Sequence, residues 1–268
     1  MKQIRFANAA LALALTLTLA ACHSPAPAET LPPSAPPRPA ETAGPVQSTP
    51  TPPPELPVWG EQTFSRAFCA GDGTPVLQVS YTLPMVQNAA ACPAGAAINA
   101  WYQAEGQARL TEAEEQHEAQ VADYDVSSAL GFSFQPTVEE MRSEVVYEAQ
   151  GIISIRRELY VSFGGAHPTV YRLSEQFHAE TGEKLAFADF FTDADTVMGR
   201  VADAFWETEL GEGALSREEV AVACHPENFY CTEEGYVFWI QGGSLPAVNS
   251  PLEVTIPWDR FADVSRYG

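Results

Sequence analysis

The chain has 268 residues, and 35 Asp and Glu outweigh 14 Lys and Arg to leave a formal charge of −21. That balance repels phosphate backbones and excludes nucleic acid as a partner, while it favours encounter with basic proteins and also serves solubility. No apolar run reaches the ~20 residues that a spanning helix needs.

The first residues, "MKQIRFANAALALALTLTLAAC", place Lys2 and Arg5 before a short apolar run that ends in small residues. Residues 1–21 read as a secretory signal peptide, and Leu19-Ala20-Ala21-Cys22 has the form of a bacterial lipobox. Cleavage before Cys22 and lipidation of that residue are therefore expected. The chain would then be held to a cell membrane by its lipid anchor, facing outside the cytoplasm. Loss of Lys2 and Arg5 with the leader takes the charge to −23. The next segment, residues 22–58, holds 13 of the 22 prolines and almost no large apolar groups. It reads as an extended, disordered stalk with no capacity for a core.

Setting Cys22 aside leaves Cys69, Cys92, Cys224 and Cys231. Four cysteines allow three pairings; proximity favours Cys69 with Cys92 and Cys224 with Cys231, and an oxidising compartment would let both disulfides form. Buried free thiols are the alternative. No C-x-x-C pair occurs, so neither a metal nor any other cofactor is expected.

From residue 59 onward the pattern is α+β, with antiparallel meander sheets and helices packed on one face. An N-terminal strand and helix part is expected over 59–150 and a helix-covered antiparallel sheet over 151–268. Val76, Leu77, Val79 and Tyr81 predict a first strand. Pro93 suits the first turn of a long helix, whose Ile98, Trp101, Tyr102 and Glu105 fall on neighbouring turns and whose Glu-rich second half reads as solvated. "TVEEMRSEVVYEA" and "IISIRRELYVSF" follow as strands joined at Gln150-Gly151. In the latter, Ile153, Ile155, Leu159, Val161 and Phe163 share a core side, opposite a wet side of Ser154, Arg156, Glu158 and Ser162. "TVYRLSEQFHAE" continues the meander with Tyr171, Leu173 and Phe177 on one face. Val197, Met198, Val201, Ala204 and Phe205 make the stripe of a helix laid over a sheet. A short helix from Ser216, strands around Phe229–Cys231 and Tyr236–Ile240, and the closing strand "LEVTIPW" complete the chain.

Gly164-Gly165-Ala166-His167-Pro168 links two of these strands, and its glycines permit a sharp reversal. Gly164, Gly165, His167 and Pro168 are candidate binding residues, because a glycine-rich loop exposes backbone donors. His167 is a weak catalytic candidate, since no H-E-x-x-H or G-x-S-x-G accompanies it and Ser162 or Ser174 would have to be recruited from elsewhere. Asp189, Asp193 and Asp195 have the spacing of an acidic calcium loop without its glycine and closing glutamate, and helix capping explains them equally.

Gly164-Gly165-Ala166-His167-Pro168, followed by Thr181-Gly182 and Asp189-Phe190-Phe191, resembles a bacterial extracytoplasmic family of paired domains of unknown function (RsiV/PdaC-like). These domains occur in the ectodomain of a lysozyme-sensing anti-sigma factor and beside the catalytic domain of a peptidoglycan deacetylase. The resemblance spans about residues 70–265 and implies the same α+β fold. In place of the sensor's spanning helix this chain has a lipobox and a stalk, and the deacetylase's metal-dependent domain has no counterpart here. Two readings stay open. One is a binding module for a basic protein such as lysozyme, or for a cell-wall glycan; the other is an envelope hydrolase or deacetylase-like enzyme with His167 as base beside Asp189.

Overall fold

The computed structural model describes residues 55–165, 168–210, 215–246 and 248–267, side chains at 209 and 210 excepted. The expected lipidation site Cys22, the leader and nearly all of the stalk lie outside these residues, as do Ala166 and His167.

The α+β class is as the patterning predicts. Six strands, β1 (Trp59–Cys69), β2 (Pro75–Val86), β3 (Thr137–Ala149), β4 (Ile152–Ser162), β5 (Thr169–His178) and β6 (Lys184–Leu185), form one sheet in that order. The chain leaves β2 through helix α1 (Gly95–Ala129) and returns as β3 beside and parallel to β2; the other joins are antiparallel. Strand β1 precedes the first strand expected from sequence. Its apolar anchors Phe64 and Phe68 stand four residues apart, with Arg66 between them on the same face, so strict alternation is hidden. At the β3–β4 turn Gln150 and Gly151 both take positive φ, 54° and 78°, the conformation that matches the twist of a tight hairpin. The β3–β4 hairpin thus carries one sheet across the boundary placed at residue 150.

Helix α1 covers the inner face. Ile98, Tyr102, Gly106 and Ala113 recur at helical spacing and meet Phe64, Leu77, Val79, Tyr81 and Leu83 in one core. Gly106 is needed there: a Cβ would lie 2.4 Å from the Phe64 ring. On β4, Ile153, Ile155, Leu159 and Val161 are buried as expected, but Phe163 lies beyond the strand's end and is 66% exposed.

The opposite face departs from expectation. A second sheet, β7 (Phe229–Cys231), β8 (Gly235–Ile240) and β9 (Leu252–Pro257), lies across part of it. Ser154 Oγ accepts from Cys231 N at 3.0 Å, Gln176 Nε2 donates to Phe229 O at 2.7 Å, and Arg156 stands 5.7 Å over the Tyr230 ring. Ser154 is therefore fully buried and not wet. Helices α3 (Ala194–Phe205) and α4 (Arg217–Ala223) cover the far side of this second sheet, where Val197, Val201, Phe205 and Val220 join Phe229, Tyr236, Phe238 and Phe261. Between Phe177 and α3 runs the short helix α2 (Phe187–Phe190), which contributes Phe190 to the same core.

No disulfide is present among the described cysteines. Cys69 closes β1 at one end of the sheet, whereas Cys92 lies beyond the other end of the 12-residue β2, a span of roughly 36 Å at the rise of a strand, where a bridge requires Cα atoms within about 7 Å. Cys224 Sγ turns back to Val220 O at 3.2 Å, and Cys231 is enclosed in the aromatic core. Burial pushes the Cys224 thiol up to about 11 and that of Cys231 higher still, so both behave as inert core groups.

The C-terminal turn is pinned to α3 by Arg200, whose guanidinium donates to both oxygens of Asp263 at 2.6 and 2.7 Å. Those bonds hold the Asp263 carboxyl at about 2. A carboxyl depressed in the folded state contributes stability above its unfolded pKa and loses it as pH falls through the folded value. NMR titration is expected to place Asp263 near 2, and Arg200→Gln to return it to the ordinary range near 4; an unmoved midpoint would contradict the pairing.

Candidate functional site

With α1 on one face and the second sheet over part of the other, an area of the outer face of β1 to β4 remains uncovered among the described residues. It is lined at period two by Thr63 and Ser65 of β1, Gln78, Ser80 and Thr82 of β2, Val138, Glu140 and Arg142 of β3, and Tyr160 and Ser162 of β4. Two shallow depressions mark it, and a third lies where β2 and β3 part beyond Tyr81 and Met141. One of about 480 Å³ is bounded by Val138, Glu140, Arg142, Tyr160, Ser162 and Pro168. A second of about 430 Å³ shares Val138 and Glu140 and runs to Ser65 and Gln78. The third, about 520 Å³, lies between Trp59, Glu61, Pro84 and Ser143.

The glycine loop therefore reaches a groove through Pro168. Gly164 takes φ +75°, and a Cβ there would come within 2.5 Å of the Gln135 Cβ, so the turn demands glycine on both counts; a Cβ at Gly165 would meet no described atom within 4 Å. His167 is not described, and no catalytic geometry is assigned to it.

The chemistry of the groove is that of recognition. Arg142 lies 3.7 Å from Glu140, and Tyr160 donates to Glu158 at 3.2 Å. Burial would raise the Glu158 carboxyl, but Arg172, bonded to it, holds it below the usual range. Ser162 lies in the groove without a described histidine: His117 bonds Cys69 O, His178 accepts from Glu180 N, and His225 lies beyond α4. Ser174 is committed to Phe229 O. Asp189 accepts from Ala186 N at 2.8 Å at the start of α2, and Asp193 accepts from Thr196 N at 3.0 Å as the cap of α3. These aspartates thus serve as helix caps.

Sequence reading passed over Arg157, 2% exposed on the α1-facing side of β4. Its Nε donates to Glu175 Oε2 and its Nη1 to Glu105 Oε1, each at 2.9 Å, and Nη2 also bonds Glu175. Tyr102 OH donates to the same Glu175 at 3.1 Å, and the guanidinium lies 5.6 Å from the Trp101 ring centre. Against the cost of burial, Glu175 and Glu105 raise the Arg157 pKa further. Glu105, lifted by burial, is brought below its usual range by Arg157 and Arg109. Parity was the available signal, since Arg157 shares the face of Ile155 and Leu159, and Glu175 that of Leu173 and Phe177.

Two solved structures share this architecture. A DUF3298 family protein of Bacteroides fragilis superposes with a TM-score of 0.53 at 14% identity, covering 78% of this chain and 93% of its own. A DUF3298 family protein of Pseudomonas aeruginosa PAO1 gives 0.53 and 14%, with 79% and 95% covered. The likeness is one of fold. No protein-family model matches the chain, and no curated protein matches it in sequence.

Proposed function

We propose that this protein is a lipid-anchored extracytoplasmic binding module, of the RsiV/PdaC-like kind, whose ligand is a cationic protein of lysozyme type. The observation that carries this reading is the −21 charge, which becomes −23 without the leader, on a chain whose first residues read as a lipobox and a proline-rich stalk. An anionic body on a tether draws basic proteins from solution and speeds their encounter. The open, hydroxyl-lined sheet face beside the glycine loop supports it as an area for contact. The helix-capping roles of Asp189 and Asp193 weigh against the hydrolase reading.

Calorimetry with hen egg-white lysozyme tests this. Binding is expected to weaken at least about tenfold between about 0.01 M and about 1 M salt, over which the Debye length falls from about 30 Å to about 3 Å. No binding at low salt, or affinity indifferent to salt, overturns it. Mass spectrometry of the Cys22 peptide tests the anchor: lipid is expected on both its sulfur and its amino group, and an unmodified thiol would remove it.

A further inference from the structure

The two edges of the six-stranded sheet are treated differently. Along β5 the short strand β6 pairs with Gln176 and Phe177, and farther up the Gln241 side chain closes the edge, its Oε1 accepting from Arg172 N at 3.1 Å and its Nε2 donating to Arg172 O at 2.5 Å. Among the described residues strand β1, eleven residues long, pairs only with β2. Its outward groups can be identified. Thr82 turns its carbonyl away from β1 to accept from Ser143 Oγ at 3.1 Å, and Pro84 has no N–H to exchange. Thr63 and Glu61 opposite them therefore occupy non-bonded positions of the ladder; the close approach of the Thr63 and Thr82 hydroxyls, 3.2 Å, agrees. By alternation Glu61, Thr63, Ser65 and Ala67 direct N–H and C=O to the free edge.

Exposed edges are ordinarily blunted by proline, by charged side chains, inward-pointing ones included, or by a mid-strand bulge. Strand β1 has no proline, its register breaks only at Phe68/Cys69, and its single cation, Arg66, is bonded to Glu114 of α1. The edge is flanked by negative charge: Glu61 on the open face, and Glu118 on α1, one turn beyond the Glu114 that pairs with Arg66. Two copies of so acidic a chain repel one another, whereas a basic strand is attracted.

We infer that the free edge of β1 takes up an extended, cationic segment of a partner protein as a seventh strand, bonded to the backbone of Glu61, Thr63, Ser65 and Ala67. This deepens the reading above, on which the positive charge of the partner rests. Main-chain bonds supply the affinity in such additions, and alternate side chains the selectivity.

The test uses the purified full-length chain and a peptide of alternating lysine and valine as long as β1. Hydrogen exchange should slow at Glu61, Thr63, Ser65 and Ala67 when the peptide is added. N-methylation of alternate peptide amides, which keeps the charge, should weaken binding at least about tenfold. Ser65→Pro should have the same effect with an unchanged melting temperature, because proline is tolerated where the N–H faces away from the neighbouring strand; the methylated peptide decides the matter should that variant misfold. Equal affinity for the methylated peptide, or unaltered exchange along β1, overturns edge addition. A glutamate-valine peptide that binds as well overturns the choice of a cationic occupant, and protection of β1 in concentrated protein alone overturns it in favour of a second copy. Salt-sensitive lysozyme binding that survives in Ser65→Pro would leave the binding-module reading intact and remove the edge from it, whereas absence of both peptide and lysozyme binding would remove both.

Discussion

Arg157→Ala is expected to lower the free energy of unfolding by about 3–5 kcal/mol, read as a fall in the urea midpoint. The figure follows from what remains. Glu175 is 3% exposed and would keep only the Tyr102 hydroxyl as a partner, leaving a buried carboxylate without its counter-ion. Glu105 would retain Arg109 at 3.1 Å and suffer less. For a domain whose whole stability is about 5–15 kcal/mol the loss is large. The cause is specific to the orphaned charge, and a second substitution tests it. The double variant Arg157→Ala with Glu175→Gln should lose at least about 1 kcal/mol less than the two single changes added together. Strict additivity would mean that lost packing against Trp101 and Tyr102, rather than lost pairing, sets the effect.

Trp239→Ala is expected to cost about 3–5 kcal/mol, and Trp239→Phe less than about 1.5 kcal/mol. Trp239 is 2% exposed and packs with Tyr230, Val237 and Val146 in the layer between the two sheets. Alanine there removes a large buried ring and leaves a cavity that two sheets joined at Ser154 and Gln176 cannot close. Phenylalanine keeps most of the apolar contact. It also removes an indole N–H that has no partner among the described residues, so no hydrogen bond is lost. Thermal unfolding of both variants separates these cases; a phenylalanine variant as damaged as the alanine one would show that Nε1 is bonded in solution.

Much of the local structure was legible in the chain itself. Gln150-Gly151 marked a hairpin because two adjacent positive-φ positions are cheap only for such residues, and the buried side of β4 followed from its period of two. The stripe Val197, Val201, Phe205 announced α3, and Asp193 its cap. Strand β1 was obscured because an edge strand buries only Phe64 and Phe68 and so carries half the usual signal. The Cys69–Cys92 pairing failed for a related reason: nearness along the chain says nothing when a twelve-residue strand runs between the two.

By itself the sequence determined the anionic charge, the α+β class, and which side chains share a face of each element. These are properties of composition and of period, and they need no knowledge of neighbours. Only the tertiary structure decided what lies against each face: that α1 closes one side over Arg157 and Glu175, that the second sheet buries Ser154 on the other, and that Gln241 seals one edge while, among the described residues, β1 pairs on one side alone. Side-chain parity is set by the backbone alone, whereas cover and edge pairing depend on segments fifty or more residues away, whose arrival leaves no periodic trace in the strand they meet.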